Sequence, residues 1–293
     1  MKKNGGKGDR PAHVLLIMVD GVGLPEEPLE TSIYKDCPAL CECFAQHSVP
    51  LDATLGVPGE PQSATGQTAL FTGVNAARKL GRHLSGFPNA QLREVVSREN
   101  IFRRLRAQSF SATFANAYVR TVEQTLPRPL QSVTTVATLS AFGQTRQRAD
   151  LLAGRAVYHD LTRQWLREHG KVDVPMITEE TAARHLLTVL RSVDFCLFEY
   201  FLTDHAGHRG DRNRKRQVLA SLDRFFAALM ANLDCKRELL VWTSDHGNIE
   251  VPATNLHTCN PVPFVAYGWH EAQVRTGMTR IEEVSYRIEE VLA

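Results

Sequence analysis

The sequence has no apolar run long enough to cross a membrane as a helix. Its longest runs, VLLIMV and FCLFEYFL, fall far short of the roughly 20 residues that a spanning helix needs. The basic start, MKKNGGKGDR, is not followed by a signal-peptide core, because the apolar run Val14–Val19 is short and ends at Asp20. We therefore expect a disordered leader over residues 1–10, one domain over residues 11–293, and a cytoplasmic protein that binds no membrane.

An excess of one charge sign is also missing. The net charge is only +2, which gives no reason to expect a nucleic-acid partner. Of the six cysteines, Cys37, Cys41 and Cys43 cluster in CPALCEC, but no second cysteine pair or histidine pair follows at zinc-finger spacing. This pattern favours small apolar side chains at the start of a helix over a metal or disulfide site.

What the sequence does contain is an alternation of short apolar runs with amphipathic segments. HVLLIMV, FCLFEYFL and RELLVWT are nearly continuous apolar runs, as is typical of central parallel strands. TEETAARHLLTVLRSV and DRNRKRQVLASLDRFFAALMANL have helical periodicity. The alternation predicts an α/β fold, with a mainly parallel central sheet sandwiched by helices. Residues 120–150 are the least regular and are expected to form a small excursion from this domain.

Ionisable residues collect where these apolar runs end. They are Asp20 after the first run, Asp204, His205 and His208 after the second, Asp245 and His246 after the third, and His257 before a further strand-like segment. Ligands of open α/β sheets bind beyond the carboxyl ends of the strands. One such aspartate usually caps a helix or turn, but several carboxylates and imidazoles with few nearby cations repel unless a metal ion neutralises them. This oxygen and nitrogen set suits Zn²⁺ or Mn²⁺ and suits calcium poorly.

A candidate nucleophile lies in PQSATGQTALFTG, where a loop turns into a helix. The free amides of a helix N-terminus can hold a phosphate group, and the hydroxyl of Ser63 would lie beside them. The alternative is that Ser63 is only the N-cap of this helix. Thr65 and Thr68 are further candidates, each better explained as part of the first helical turn.

Five motifs together resemble the alkaline phosphatase superfamily. Within it, they are similar to the metalloenzyme branch of cofactor-independent phosphoglycerate mutase and phosphopentomutase. MVDGVG resembles the branch's first metal motif and QSATGQ its nucleophile motif, in which Ser63 has the place of the nucleophile. DHAGH, SDHGNIE and HTCNPVPF resemble three further metal motifs. The matches follow the family's order and span residues 14–266.

The resemblance implies two divalent metal ions, with Mn²⁺ or Zn²⁺ favoured and Mg²⁺ as an alternative. One ion would be held by Asp204, His208 and His257, and the other by Asp20, Asp245, His246 and the Ser63 oxygen. The family pattern does not require His205. That residue is either close to the substrate or ligands, or an ordinary exposed side chain.

Two departures from the family pattern bear on the reaction. Gln67 stands where the mutases commonly have histidine, and the chain has no room for their large inserted cap domain. A mutase must enclose its substrate and exclude water. We therefore expect a phosphohydrolase that acts on a small-molecule phosphate monoester through a phosphoserine at Ser63. The alternatives are a phosphomutase, a phosphodiesterase and, more remotely, a non-catalytic metal-loaded binding protein. Candidate pocket residues are Arg82, His83, Asn116, Tyr118, Arg155, Tyr158 and His159.

Overall fold

The computed structural model describes residues 10–120 and 125–293. Almost all of the expected leader, and residues 121–124 of the expected excursion, lie outside the described residues. The strands are β1 His13–Val19, β2 Ser48–Leu51, β3 Ala112–Phe114, β4 Ala117–Tyr118, β5 Arg146–Gln147, β6 Phe195–Tyr200, β7 Glu238–Thr243 and β8 Val262–Gly268.

Helices alternate with these strands along most of the chain. They are α1 Pro38–Gln46, α2 Ser63–Thr72, α3 Ala76–Leu80, α4 Ala90–Glu99, α5 Ile101–Ala107, α6 Val133–Phe142, α7 Arg148–Leu152, α8 Gln164–Glu168, α9 Glu179–Leu190, α10 Leu202–Arg209, α11 Arg212–Asn232, α12 Glu271–Arg275 and α13 Val284–Leu292. Short 3₁₀ turns occupy Arg128–Leu130 and Ile281–Glu283. No helix in the described ranges is long and apolar enough to cross a membrane.

Six strands form the central sheet, in the order β2-β8-β7-β1-β6-β3. Strand β1 lies between β7 and β6 and runs parallel to both, and β3 runs parallel to β6. Strand β8 is antiparallel to its two neighbours. The predicted fold class, a mainly parallel sheet between helices, is therefore confirmed.

Each face of the sheet carries its own hydrophobic core. Alternate residues of β1 point to opposite faces: Leu15 and Ile17 pack with helices α1, α9 and α11, whereas Val14 and Leu16 pack with α2, α5, α6 and α13. The continuous apolar run of β1 follows from burial on both faces, since every residue from Val14 to Val19 is buried.

The structure differs from the sequence prediction at several boundaries. The apolar run FCLFEYFL is a strand only as far as Tyr200, because Leu202 already begins α10. The sequence pattern of SATGQTALFTGVNAARKL predicts one helix, but the structure splits this segment at Gly73, which ends α2 in the left-handed conformation. The irregular region 120–150 contributes α6, whose residues Val133 and Ala137 are buried against the central sheet.

Candidate metal centre

The carboxyl ends of β7, β1 and β6 meet at one edge of the sheet. Asp20 follows β1 directly, Asp245 follows β7 after Ser244, and Asp204 lies in the first turn of α10, just after β6. The Thr203 hydroxyl donates a hydrogen bond to the backbone oxygen of Asp20, which ties the start of α10 to the end of β1. Adjacent parallel strands thus bring together aspartates that are far apart in sequence.

The first group consists of Asp204, His208 and His257. The Oδ1 atom of Asp204 lies 3.3 Å from Nε2 of His208 and 3.4 Å from Nε2 of His257. The Nδ1 atoms face backbone carbonyls, at 2.6 Å from Asn255 O and 2.7 Å from Pro61 O, so each Nδ1 carries the hydrogen. Both Nε2 atoms then present lone pairs, yet they are only 2.8 Å apart. A cation between them removes this repulsion, so the group fits a metal ion.

The second group surrounds the buried imidazole of His246. Its Nε2 atom lies 3.0 Å from Oγ of Ser63, 3.3 Å from Oδ1 of Asp20 and 3.7 Å from Oδ2 of Asp245. The Asp20 Oδ1 atom is buried and makes no well-directed hydrogen bond with any described residue. Asp204 is close to this group as well, since its ligand atom lies within 4.8 Å of those of Asp20 and His246.

The charges of this centre depend on one another. Burial raises the pKa of Asp20 well above its usual value, and the neighbouring charges of Asp245 and Asp204 raise it further. Burial alone would lower the pKa of His246, but the carboxylates of Asp245, Asp20 and Asp204 raise it to about 10. An uncompensated carboxylate oxygen beside imidazole nitrogens is the donor set that borderline divalent ions prefer. The residues present therefore fit divalent cations.

Three further residues position the predicted ligands and were not singled out as such from the sequence. The Gln67 amide donates from Nε2 to Asp20 Oδ2 at 3.1 Å and to Asp245 Oδ2 at 3.0 Å. The Asn248 side chain donates from Nδ2 to Asp204 Oδ1 at 3.0 Å, and the backbone N–H of Asn248 donates to Glu250 Oε2 at 2.7 Å. Asn248 and Glu250 lie inside SDHGNIE, so closeness to the predicted ligands was the available signal.

Ser63 is the first residue of α2 and is not its N-cap. The cap position belongs to Gln62, whose side chain makes no capping hydrogen bond. Thr65 and Thr68 are fully buried and donate their hydroxyls to the carbonyls of Gln62 and Ala64. Ser63 alone among the three hydroxyl residues is partly exposed, and its Oγ contacts His246.

The remaining candidate residues fall in separate places. Arg82 and His83 line an open hollow beside Gln62. Asn116, Tyr118, Tyr158 and His159 line a second cavity. Arg155 pairs instead with Asp150, and His205 is an exposed residue of α10. Of the clustered cysteines, Cys37 and Cys43 are buried, and burial raises the pKa of both thiols to about 12.

Comparisons with known proteins bear on the family and on the fold. The Metalloenzyme superfamily model matches residues 170–287. The 2,3-bisphosphoglycerate-independent phosphoglycerate mutase of Methanococcus vannielii is 33% identical over 100 residues, which cover 34% of this chain and 24% of that protein. The chain thus spans about a quarter of the length of the first curated relatives that it matches.

Solved alkaline phosphatases share the fold over nearly the whole chain. That of the Antarctic bacterium TAB5 has a TM-score of 0.58 at 13% identity, covering 97% of this chain and 98% of its own. That of Thermus thermophilus has a TM-score of 0.61 at 10% identity, covering 97% and 92%. The chain therefore has the alkaline-phosphatase-like fold. Together with the family match, these findings confirm the resemblance to the alkaline phosphatase superfamily and, within it, to the metalloenzyme branch that includes phosphoglycerate mutases.

Proposed function

We propose that the protein is a two-metal-dependent phosphohydrolase that cleaves a small-molecule phosphate monoester through a phosphoserine at Ser63. The observation that carries the proposal is the position of this hydroxyl. It is partly exposed at the uncapped start of α2, and its Oγ lies 3.0 Å from His246 Nε2 within the predicted ligand cluster. The proposed ions are Mn²⁺ or Zn²⁺, with Mg²⁺ as the alternative, and the proposed compartment is the cytoplasm.

The proposed chemistry assigns a separate task to each part of the centre. The Ser63 oxygen bonds to phosphorus and its proton passes to solvent, while the bond from phosphorus to the ester oxygen breaks and the departing alkoxide takes a proton from water. The free amides at the start of α2 hold the phosphoryl oxygens. A water molecule then attacks the phosphoserine and releases inorganic phosphate and free Ser63. Divalent ions held by the aspartates and histidines would supply positive charge that stabilises the phosphoryl oxygens and favours the ionised hydroxyl.

The reaction partner of the phosphoserine separates the first choice from the runner-up. The curated relatives are named as phosphoglycerate mutases, which favours transfer back to the same substrate. The chain spans only about a quarter of their length, however, whereas alkaline phosphatases correspond to it over nearly its whole length. Hydrolysis therefore ranks above mutase activity, because transfer to the same molecule needs an enclosed site from which water is excluded. Phosphodiester cleavage and a non-catalytic binding role rank lower.

A product assay tests the proposal directly. The chain is incubated with Mn²⁺ or Zn²⁺ and an aryl phosphate, and inorganic phosphate is measured against time. The same protein is given 3-phosphoglycerate and a pentose phosphate, and the isomers are separated from free phosphate. We expect free phosphate as the main product. Isomer formation without phosphate release would establish the mutase instead, and absence of both products would support the binding role.

A further inference from the structure

An apolar cavity of about 370 Å³ lies at the carboxyl ends of β3 and β6. Its walls are mostly aromatic and aliphatic: Phe114, Tyr118, Leu126, Leu130, Tyr158 and Phe201. The volume is in the range of small-molecule sites, which are typically lined by such side chains with a few polar groups.

The walls of this cavity are continuous with the segments that carry the reactive groups. Phe201 is the N-cap residue of α10, three positions before Asp204. Phe87, at the rim, belongs to the loop in which the Leu84 amide donates to Oγ1 of Thr65, two residues after Ser63. Two walls of the cavity thus belong to the segments next to Asp204 and next to the start of α2.

One buried polar group faces the cavity without a partner. His159 is only 6% exposed and stacks on Phe201, with ring centroids 4.0 Å apart. Its Nδ1 atom has no hydrogen-bond partner among the described residues, although leaving such an atom unpaired is costly. Burial lowers the pKa of His159 to about 3, and the nearby charges of Arg120 and His205 contribute. The imidazole is therefore neutral, and its Nδ1 atom is unsatisfied among the described residues.

The described lining of the cavity contains no positively charged side chain that could pair with an acidic group of a substrate. None of its described residues is lysine or arginine, and its one ionisable carboxyl is Glu199. A second carboxylate on the substrate, as in a phosphoglycerate, would lie near Glu199 without a cation in the wall, and desolvating it there would be unfavourable. Arg120 is not part of this lining, and its guanidinium lies over the ring of Trp165, 5.7 Å from the ring centroid.

We infer that the leaving group of the substrate is an uncharged organic group, apolar over most of its surface, which occupies this cavity and places one hydrogen-bonding atom toward His159. The inference rests on the proposed phosphohydrolase function and narrows its substrate class. It excludes phosphorylated carboxylic acids as the substrate class.

The test compares three esters and one alcohol on the full chain with Mn²⁺. The esters are 1-naphthyl phosphate, methyl phosphate and 3-phosphoglycerate, and phosphate release gives kcat/KM for each. We expect kcat/KM for the naphthyl ester to exceed the other two by at least about tenfold, the effect of filling part of a hydrophobic pocket. Binding of 1-naphthol to the metal-free chain, measured by calorimetry, reports on the cavity without any reaction.

Variants at the rim link the preference to this cavity. Phe87 and Leu130 are 48% and 45% exposed, so Phe87→Ala and Leu130→Ala should leave the fold intact. Each should lower the ratio of kcat/KM for naphthyl over methyl phosphate by about tenfold and weaken 1-naphthol binding. Leu152→Ala is the matched control, since Leu152 is 48% exposed and lies outside the lining, and it should change neither quantity.

The outcomes distinguish the two proposals. Phosphate release with equal kcat/KM for the naphthyl and methyl esters, and no effect of the rim variants, would overturn the inference alone. A preference for 3-phosphoglycerate would also overturn it. If no ester released phosphate, the proposed function would fail, and the assignment of the cavity to a leaving group would fail with it, even if 1-naphthol bound.

Discussion

Ser63 differs from the neighbouring threonines in what its hydroxyl contacts. The hydroxyls of Thr65 and Thr68 donate to backbone carbonyls of their own helix, as buried threonines commonly do. The Ser63 hydroxyl instead contacts the ring of His246, a residue 183 positions away. Ser63 has no capping role and contacts a buried ionisable side chain. These contacts are better explained by the proposed role as nucleophile than by a contribution to helix stability.

The first prediction follows from that contact. Ser63→Ala should lower phosphate release at least about a hundredfold, because the covalent step needs this oxygen. The free energy of unfolding should change by less than about 1 kcal/mol, since no cap is lost. Steady-state kinetics and urea unfolding measure the two effects. Acid quenching followed by peptide mass spectrometry should find phosphate on Ser63.

Thr65→Ala is the control for this prediction. It removes the hydrogen bond to Gln62 but should lower the rate far less than Ser63→Ala. Phosphate found on Thr65, or full activity of Ser63→Ala, would contradict the assignment of the nucleophile.

Glu199 gives a prediction about how the free energy of unfolding depends on pH. Burial raises its pKa from 4.5 to about 7, and the charge of Asp245 adds to this, while the hydrogen bond from Thr134 opposes it. The neutral carboxyl is thus favoured in the folded chain, so its contribution to stability is complete below pH 4.5 and is lost as pH rises through 7. The pKa difference corresponds to about 3 kcal/mol.

Glu199→Gln should remove this loss, because a neutral amide does not titrate. Urea unfolding of both chains in chelator, between pH 5 and pH 8, should show the variant gaining relative to the original chain as pH rises. At the acid end the two should converge, which serves as the internal control. Parallel pH profiles would show that Glu199 does not titrate in this range.

At the scale of elements, helix α2 is fixed by its close approach to the end of β7. A Cβ atom at Gly66 would lie 2.6 Å from the backbone oxygen of Asp245 and 3.0 Å from its Cβ. Alanine is favoured over glycine inside an isolated helix by about 1 kcal/mol. At position 66 of this fold we expect the opposite, with alanine less favourable than glycine, because the contact with Asp245 leaves no room for a methyl group.

Gly66→Ala should therefore lower the free energy of unfolding by about 1–3 kcal/mol, as overpacking typically does, and should weaken metal uptake by displacing Asp245. Gly81→Ala is the comparison. Gly81 has a φ of 71° and open space around it, so its substitution should cost about 1–2 kcal/mol through the backbone without altering metal uptake. Equal metal uptake by the two variants would refute the packing argument.

At the scale of the whole molecule, the centre joins segments from both halves of the chain, so metal binding should stabilise the fold globally. We predict about two transition-metal ions per chain after incubation with Mn²⁺ or Zn²⁺, measured by elemental analysis. Each ion at about 100 times its dissociation constant would add about 2.7 kcal/mol to the free energy of unfolding, and a chelator should remove this gain.

His257→Ala should lower the metal content by about one ion, because it removes one of the three ligands predicted for one site. His205→Ala is the control on the neighbouring segment, since His205 is exposed, and it should leave the content unchanged. No uptake of either metal by the original chain would contradict the two-metal proposal.

From the sequence alone came the alternation of the main apolar strands with helices and the expectation that the aspartates meet at one edge of the sheet. Continuous apolar runs mark strands buried on both faces, and parallel neighbours bring their carboxyl ends together whatever lies between them in the chain. Which atoms touch is known only from the folded structure. The Nε2 atoms of His208 and His257 face each other, Gln67 bridges two carboxylates, and an apolar cavity is lined by β3, β6 and side chains of residues 126–135. The direction of a side chain depends on the packing of segments distant in sequence, and no local pattern records it.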